Sequence, residues 1–103
     1  MRKKYRLRYL PIFEQDLANA IDYIAVRLQN PTAAQQLLGE TEKAILNRLK
    51  APLSFKAYYS NRDRKYAYYR IYVKNYAVFY VVIDDVMEVR RFVYNKRNLS
   101  ELV

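Results

Sequence analysis

Residues 66–94 read YAYYRIYVKNYAVFYVVIDDVMEVRRFVY, and most of the architecture follows from them. The stretch divides into three runs, Tyr66–Val73, Tyr76–Ile83 and Val86–Tyr94, each rich in β-branched and aromatic residues. Lys74-Asn75 and Asp84-Asp85 separate the runs at the spacing of two-residue hairpins. Three antiparallel strands are therefore predicted. Neither pair contains glycine, so slightly longer turns are an alternative. With both turns tight, Val73 opposes Tyr76, Tyr72 opposes Ala77, Ile83 opposes Val86 and Phe79 opposes Arg90. One face then carries Tyr69, Ile71, Val73, Val78, Tyr80, Val82, Met87, Val89 and Val93, apolar enough to meet helices. The other carries Tyr66, Tyr68, Arg70, Tyr72, Phe79, Glu88, Arg90, Phe92 and Tyr94, where rings alternate with guanidinium groups. Arg91 falls on the apolar face in this register. It sits at the rim of the sheet, or a bulge shifts the strand there.

Upstream, Lys4 to Tyr9 alternates charged with apolar residues, the pattern of a half-buried strand. Pro11 suits a first helical turn. Phe13, Leu17, Ala20, Ile21, Ile24 and Leu28 then recur at steps of three and four, predicting an amphipathic helix of about five turns. Asn30 caps a second helix with Pro31 at its first position. Leu37, Leu38, Thr41, Ile45 and Leu49 mark its buried stripe, Lys50 lies in its last turn, and Pro52 stops it. The two form an antiparallel hairpin. Phe55 to Lys65 has no period and is read as a loop. The predicted fold is α+β, in the order β-α-α-β-β-β, with the helical hairpin on one face of an antiparallel sheet.

The chain has 103 residues, a length that fits one domain over residues 1–103. It contains no Cys, which excludes disulfides and fits a reducing, cytoplasmic setting. No apolar run approaches the ~20 residues of a membrane helix, so no membrane partner is expected. The net charge is +9. About +5 falls in residues 1–13, about −1 in residues 14–50 and about +5 in residues 51–103. The helices are near neutral and the sheet with its loops is basic, a distribution that attracts polyanions or acidic proteins.

The inventory for chemistry is short. There is no His and no Cys, which removes His-based acid–base pairs, Cys nucleophiles and the usual zinc sites. The single Gly, Gly39, lies in a predicted helix, so no phosphate-cradling glycine loop exists. Asp84-Asp85 reads as a turn. No metal and no cofactor are expected. A basic, aromatic sheet face suits single-stranded RNA: guanidinium forks take phosphates and rings stack on bases. Candidate RNA contacts are Tyr68, Tyr72, Arg90, Arg91, Lys65 and Lys96. A nuclease made of these residues would be metal-independent, with Arg and Lys stabilising the pentavalent phosphate, Tyr, Lys or Glu moving protons, and Tyr94, beside Arg90, Lys96 and Arg97, the best-placed general base.

The element order resembles the RelE/ParE toxin superfamily. So do Tyr5-Arg6-Leu7-Arg8-Tyr9-Leu10-Pro11, Tyr69-Arg70-Ile71, Val73-Lys74-Asn75-Tyr76 with Val78-Phe79-Tyr80, and Arg91-Phe92-Val93-Tyr94-Asn95-Lys96-Arg97. The resemblance implies a toxin silenced by a cognate antitoxin that covers its basic face. It also implies two modes of action: RelE-like members cleave mRNA on the ribosome, and ParE-like members poison DNA gyrase. Against the nuclease pattern, Arg70 is kept, Arg97 or Arg91 supplies the late basic group, and Tyr94 stands where some members place an essential Tyr. An Arg expected at the start of the next strand is replaced by Ala77. The expectation is an mRNA endonuclease acting through Arg70, Tyr94 and Arg97. The alternatives are a gyrase inhibitor and a non-toxic module that binds RNA or antitoxin.

Overall fold

The computed structural model describes residues 3–57 and 65–95. The chain runs β1 (Arg6–Tyr9), α1 (Pro11–Asp22), a π-helical turn (Tyr23–Arg27), α2 (Pro31–Arg48), β2 (Tyr69–Val73), β3 (Tyr76–Ile83) and β4 (Val86–Tyr94). The strands form one sheet in the order β1-β4-β3-β2. The α+β class and the helical hairpin over one face are as the sequence predicts. The sheet itself is mixed: β2, β3 and β4 form an antiparallel meander, and β1 pairs parallel to β4, Arg6 opposite Val86 through Tyr9 opposite Val89. The meander leaves one edge of β4 unpaired, and the long helical crossover lets β1 join that edge in the same direction, which no tight turn would allow.

In α1 Pro11 opens the helix, Phe13 is buried, and Leu17, Ala20 and Ile21 pack on the core. The predicted five-turn helix does not continue uniformly. From Tyr23 the coil widens, and Leu28 N donates to Tyr23 O at 3.1 Å, five residues back. The extra residue rotates the apolar stripe. Ile24 stays against the core, while Tyr23, Val26 and Leu28 are exposed. Gln29 closes the turn in the left-handed region, φ 49°. Asn30 then caps α2 as expected, its Oδ1 accepting from Ala33 N at 3.1 Å. Ala34, Leu37, Thr41 and Ile45 are buried. Leu38, predicted on this stripe, is exposed, because one residue past Leu37 the helix has turned about 100°. The helix ends at Arg48, not Lys50, and Arg48 has a tertiary task. Its Nη1 donates to the Tyr80 hydroxyl at 2.9 Å and to Arg70 O at 3.2 Å, and its plane lies 3.6 Å from the Phe55 ring centroid. The Tyr80 hydroxyl in turn donates to Pro52 O at 2.7 Å.

The turns at Lys74-Asn75 and Asp84-Asp85 are tight, and they place Lys74 and Asp84 at φ 53° and 55° without glycine. The register follows prediction across β2 and β3 and at Ile83–Val86. It then shifts. Phe79 opposes Arg91, not Arg90, and Tyr80 opposes Val89, so Arg90 is a β-bulge. Beyond it every side chain changes face. Phe92, expected on the aromatic–arginine face, joins the helix-side core with Ile71, Val73, Val78, Tyr80, Met87 and Val89. Its ring stacks on Tyr76 at 4.7 Å and meets Phe13 edge-on at 6.1 Å. Val93, expected toward the helices, packs on the opposite side with Tyr68, Ala77, Phe79 and Val81.

Where β1 ends at Tyr9, β4 loses a neighbour, and α1 replaces it. Asp16 Oδ2 accepts from Phe92 N at 3.0 Å and from Arg91 Nε at 2.7 Å, and Oδ1 accepts from Arg91 Nη2 at 3.2 Å. Of the two positions open to Arg91 from the sequence, the bulge is the one adopted.

Two stability outcomes follow. Asp16→Ala removes a carboxylate that satisfies three donors and should cost about 2 kcal/mol in urea unfolding. Gln29→Gly relieves a left-handed helix terminus and should stabilise the fold by up to about 1 kcal/mol in the same assay.

Candidate functional site

The sheet face away from the helices is where cations gather. Register sets Arg70, Phe79 and Arg91 in one row across β2, β3 and β4, and Tyr72, Ala77 and Val93 in the next. The Arg70 guanidinium lies 5.1 Å from the Tyr72 ring centroid. Arg90, freed from the ladder by the bulge, donates from Nε to Glu88 Oε2 at 2.8 Å and from Nη1 to the Tyr68 hydroxyl at 3.0 Å. Arg8 reaches the same carboxylate from β1, Nη2 to Oε1 at 2.7 Å. The four groups form a chain, Arg8–Glu88–Arg90–Tyr68, across the sheet.

The structure brings together Arg70, Tyr68, Tyr72, Arg90 and Arg91 on this face. Lys65 is exposed nearby in sequence, its ammonium 5.5 Å from the Tyr66 ring. Tyr94 is not among them. It pairs with Tyr76 and meets that ring edge-on at 5.5 Å on the helix side, so Arg70 and Tyr94 lie on opposite faces of the sheet. Arg97 and Lys96 lie outside the described residues. Tyr68 is buried against Phe79, ring centroids 6.5 Å apart, so its face is not open for base stacking; Tyr72 is exposed. Ala77 is fully buried between Tyr72 and Val93 in register, a position without room for a guanidinium.

Two interactions that organise the face escaped the sequence reading, the Arg8–Glu88–Arg90 cluster and the Asp16–Arg91 pair. Glu88 and Arg90 alternate on one strand, which hints at their pairing, but the third member, Arg8, is 80 residues away. Asp16 lies in Phe13-Glu14-Gln15-Asp16-Leu17, a stretch that shares the family resemblance, but nothing in it points to Arg91, which only the packing of α1 on β4 brings to it. The hydroxyls of Tyr9 and Tyr80 are displaced in acidity. Burial raises both, with Glu42 and Glu14 adding at Tyr9 and Arg48 partly offsetting at Tyr80. A general base would need the opposite shift. Among the described residues no three His, Cys, Asp or Glu groups converge as metal ligands, and no helix is long and apolar enough to cross a membrane.

Glu88 makes the cluster sensitive to acid. Burial, the largest influence, pushes its carboxyl up, but the hydrogen bonds and charges of Arg90 and Arg8 together hold it below the ordinary value of 4.5. A carboxylate with a depressed pKa in the folded state stabilises the protein above its unfolded value, and that contribution is lost as pH falls through the folded one. Wild-type stability should therefore fall as pH drops below about 4.5. Glu88→Gln should be less stable at pH 7 and show a flatter decline in that range, measured by urea unfolding at a series of pH values.

Comparison with known proteins agrees with this architecture. A family model described as the ParE toxin of the type II toxin–antitoxin system parDE matches residues 7–99. No curated protein matches in sequence. Among solved structures, a chain of the chromosomal ParDE toxin–antitoxin system of P. aeruginosa superposes with a TM-score of 0.72 at 11% identity, covering 89% of this chain and 97% of its own. A chain of the RelB–RelE antitoxin–toxin complex from Methanococcus jannaschii gives 0.47 at 21% identity, covering 86% of this chain and 91% of its own. With the match running from within β1 through both helices to the end of β4, the chain belongs to the ParE toxin family of type II toxin–antitoxin systems.

Proposed function

We propose that this toxin acts in the cytoplasm by binding DNA gyrase, as the resemblance implies for ParE-like members, and is silenced by a cognate antitoxin. The observation that carries this reading is the bulge at Arg90. The two groups best suited to RNA cleavage, Arg70 and Tyr94, lie on opposite faces of the sheet. Two more observations support it. Ala77 stands buried where the nuclease pattern has an Arg, and such a loss costs a cleavage reaction orders of magnitude. Arg8, Arg90 and Arg91 are engaged by Glu88 and Asp16, so they serve as a built surface more than as free phosphate ligands.

The mRNA endonuclease reading keeps one specific support. Arg70, Arg90 and Arg91 do share a face with the exposed Tyr72.

The test is induced expression without antitoxin, with protein and DNA synthesis pulse-labelled in parallel, and a supercoiling assay with purified gyrase. DNA synthesis should fall first, supercoiling should be inhibited, and Tyr94→Phe should leave the effect unchanged. Early loss of protein synthesis with cut mRNA, abolished in Arg70→Ala, would establish the nuclease instead. Harmless expression would leave a non-toxic binding module.

A further inference from the structure

α2 buries Ala34, Leu37, Thr41 and Ile45 beneath it and leaves its far side bare. On that side Leu46 is 54% exposed. Two turns earlier on the same side stands Gly39, the one glycine of the chain, inside a helix where glycine is less favourable than alanine. Nothing within the described chain calls for it. Its φ is not in the left-handed region, and no atom of another segment lies within 4 Å of where a Cβ would stand.

Midway between Gly39 and Leu46 lie Glu42 and Lys43, both exposed. Among the described residues neither forms an ion pair, whereas Glu40 on the flank is tied to Lys74 at 3.6 Å. Neighbours in sequence on a helix do not face each other, so Glu42 and Lys43 cannot satisfy one another within one chain. Gly39, Glu42, Lys43 and Leu46 line a single shallow hollow.

We propose that this hollow is the seat of a second copy of the chain, with the two α2 helices packed antiparallel about a two-fold axis between Glu42 and Lys43. A two-fold contact uses the same patch on both sides, so each feature must find its complement within that patch. Here each does. In antiparallel register about that axis, Leu46 comes over Gly39 of the partner subunit, where the bare backbone receives it. Glu42 comes beside Lys43 of the partner subunit, and the two-fold repeats both contacts. The charges at the centre cancel, so this patch has no bias toward an acidic or a basic foreign protein. It lies on the side of α2 away from the sheet, so pairing leaves the arginine-bearing sheet face open whichever target the toxin attacks. One pair of helices makes a small interface, and the dimer is weak and exchanging.

The full chain is followed by sedimentation equilibrium from about 10 μM to about 1 mM, a range suited to a small interface. Wild type should pass from monomer to dimer across that range. Gly39→Leu fills the seat, and should weaken the dimer about tenfold or more while the melting temperature of the monomer holds or rises. Glu42→Lys and Lys43→Glu each set like charges opposite one another, and each alone should also weaken the dimer about tenfold or more. An equimolar mixture of these two variants should pair like wild type, because the mixed dimer again sets a carboxylate beside an ammonium at both places. A protein that stays monomeric up to the highest concentration, a dimer that survives Gly39→Leu, or a mixture that fails to restore pairing overturns the proposal.

Discussion

β4 is an inner strand, and its backbone groups must be satisfied on both sides along its whole length. β3 does this on one side throughout. On the other side two unlike partners share the task. β1 pairs through Val89, and after the chain turns away at Leu10 the carboxylate of Asp16 takes over at Phe92. The bulge at Arg90 lies at the handover. By inserting one residue it turns Phe92 toward Phe13 and Tyr76, which closes the core at this end, and sends the Arg90 side chain to Glu88. The core, the charge cluster and the seat of α1 on the sheet all depend on that one extra residue.

The same bulge shapes the functional face. Had β4 run straight, Arg90, Phe92 and Tyr94 would have lined up with Arg70 and Tyr72 as an aromatic–cationic strip. Instead the centre of this side of the sheet is a second buried cluster of Tyr68, Ala77, Phe79, Val81 and Val93, bordered by arginines that are held by carboxylates.

Much of the fold was legible from local pattern. The three strands, both tight turns, the Asn30 cap and the two helices each carry a periodic or positional signal within a few residues of chain. What was not legible has two physical origins. One is a change of backbone geometry that leaves composition untouched. The π turn at Tyr23 and the bulge at Arg90 each insert a residue into a regular element, and both strings still read as unbroken apolar periods. The other is tertiary placement. The parallel seat of β1, the Asp16–Arg91 pair and the hub at Arg48 join segments tens of residues apart, and no spacing encodes them. The candidate site suffered most because it spans the bulge. Residues before Arg90 were assigned to the correct face, and Phe92, Val93 and Tyr94 to the wrong one.

The pairing of β1 with β4 also bears on when the fold can close. Arg8 meets Glu88 across 80 residues of chain. During synthesis at about 5–20 residues per second, β1 and α1 leave the ribosome seconds before their partner strand does. The helical hairpin, whose contacts are close in sequence, can form early, but its apolar stripe has no sheet to rest on until β4 is made. The cationic face is assembled in the same late step, because its arginines come from β1, β2 and β4. Folding of this chain is thus timed by the arrival of one strand.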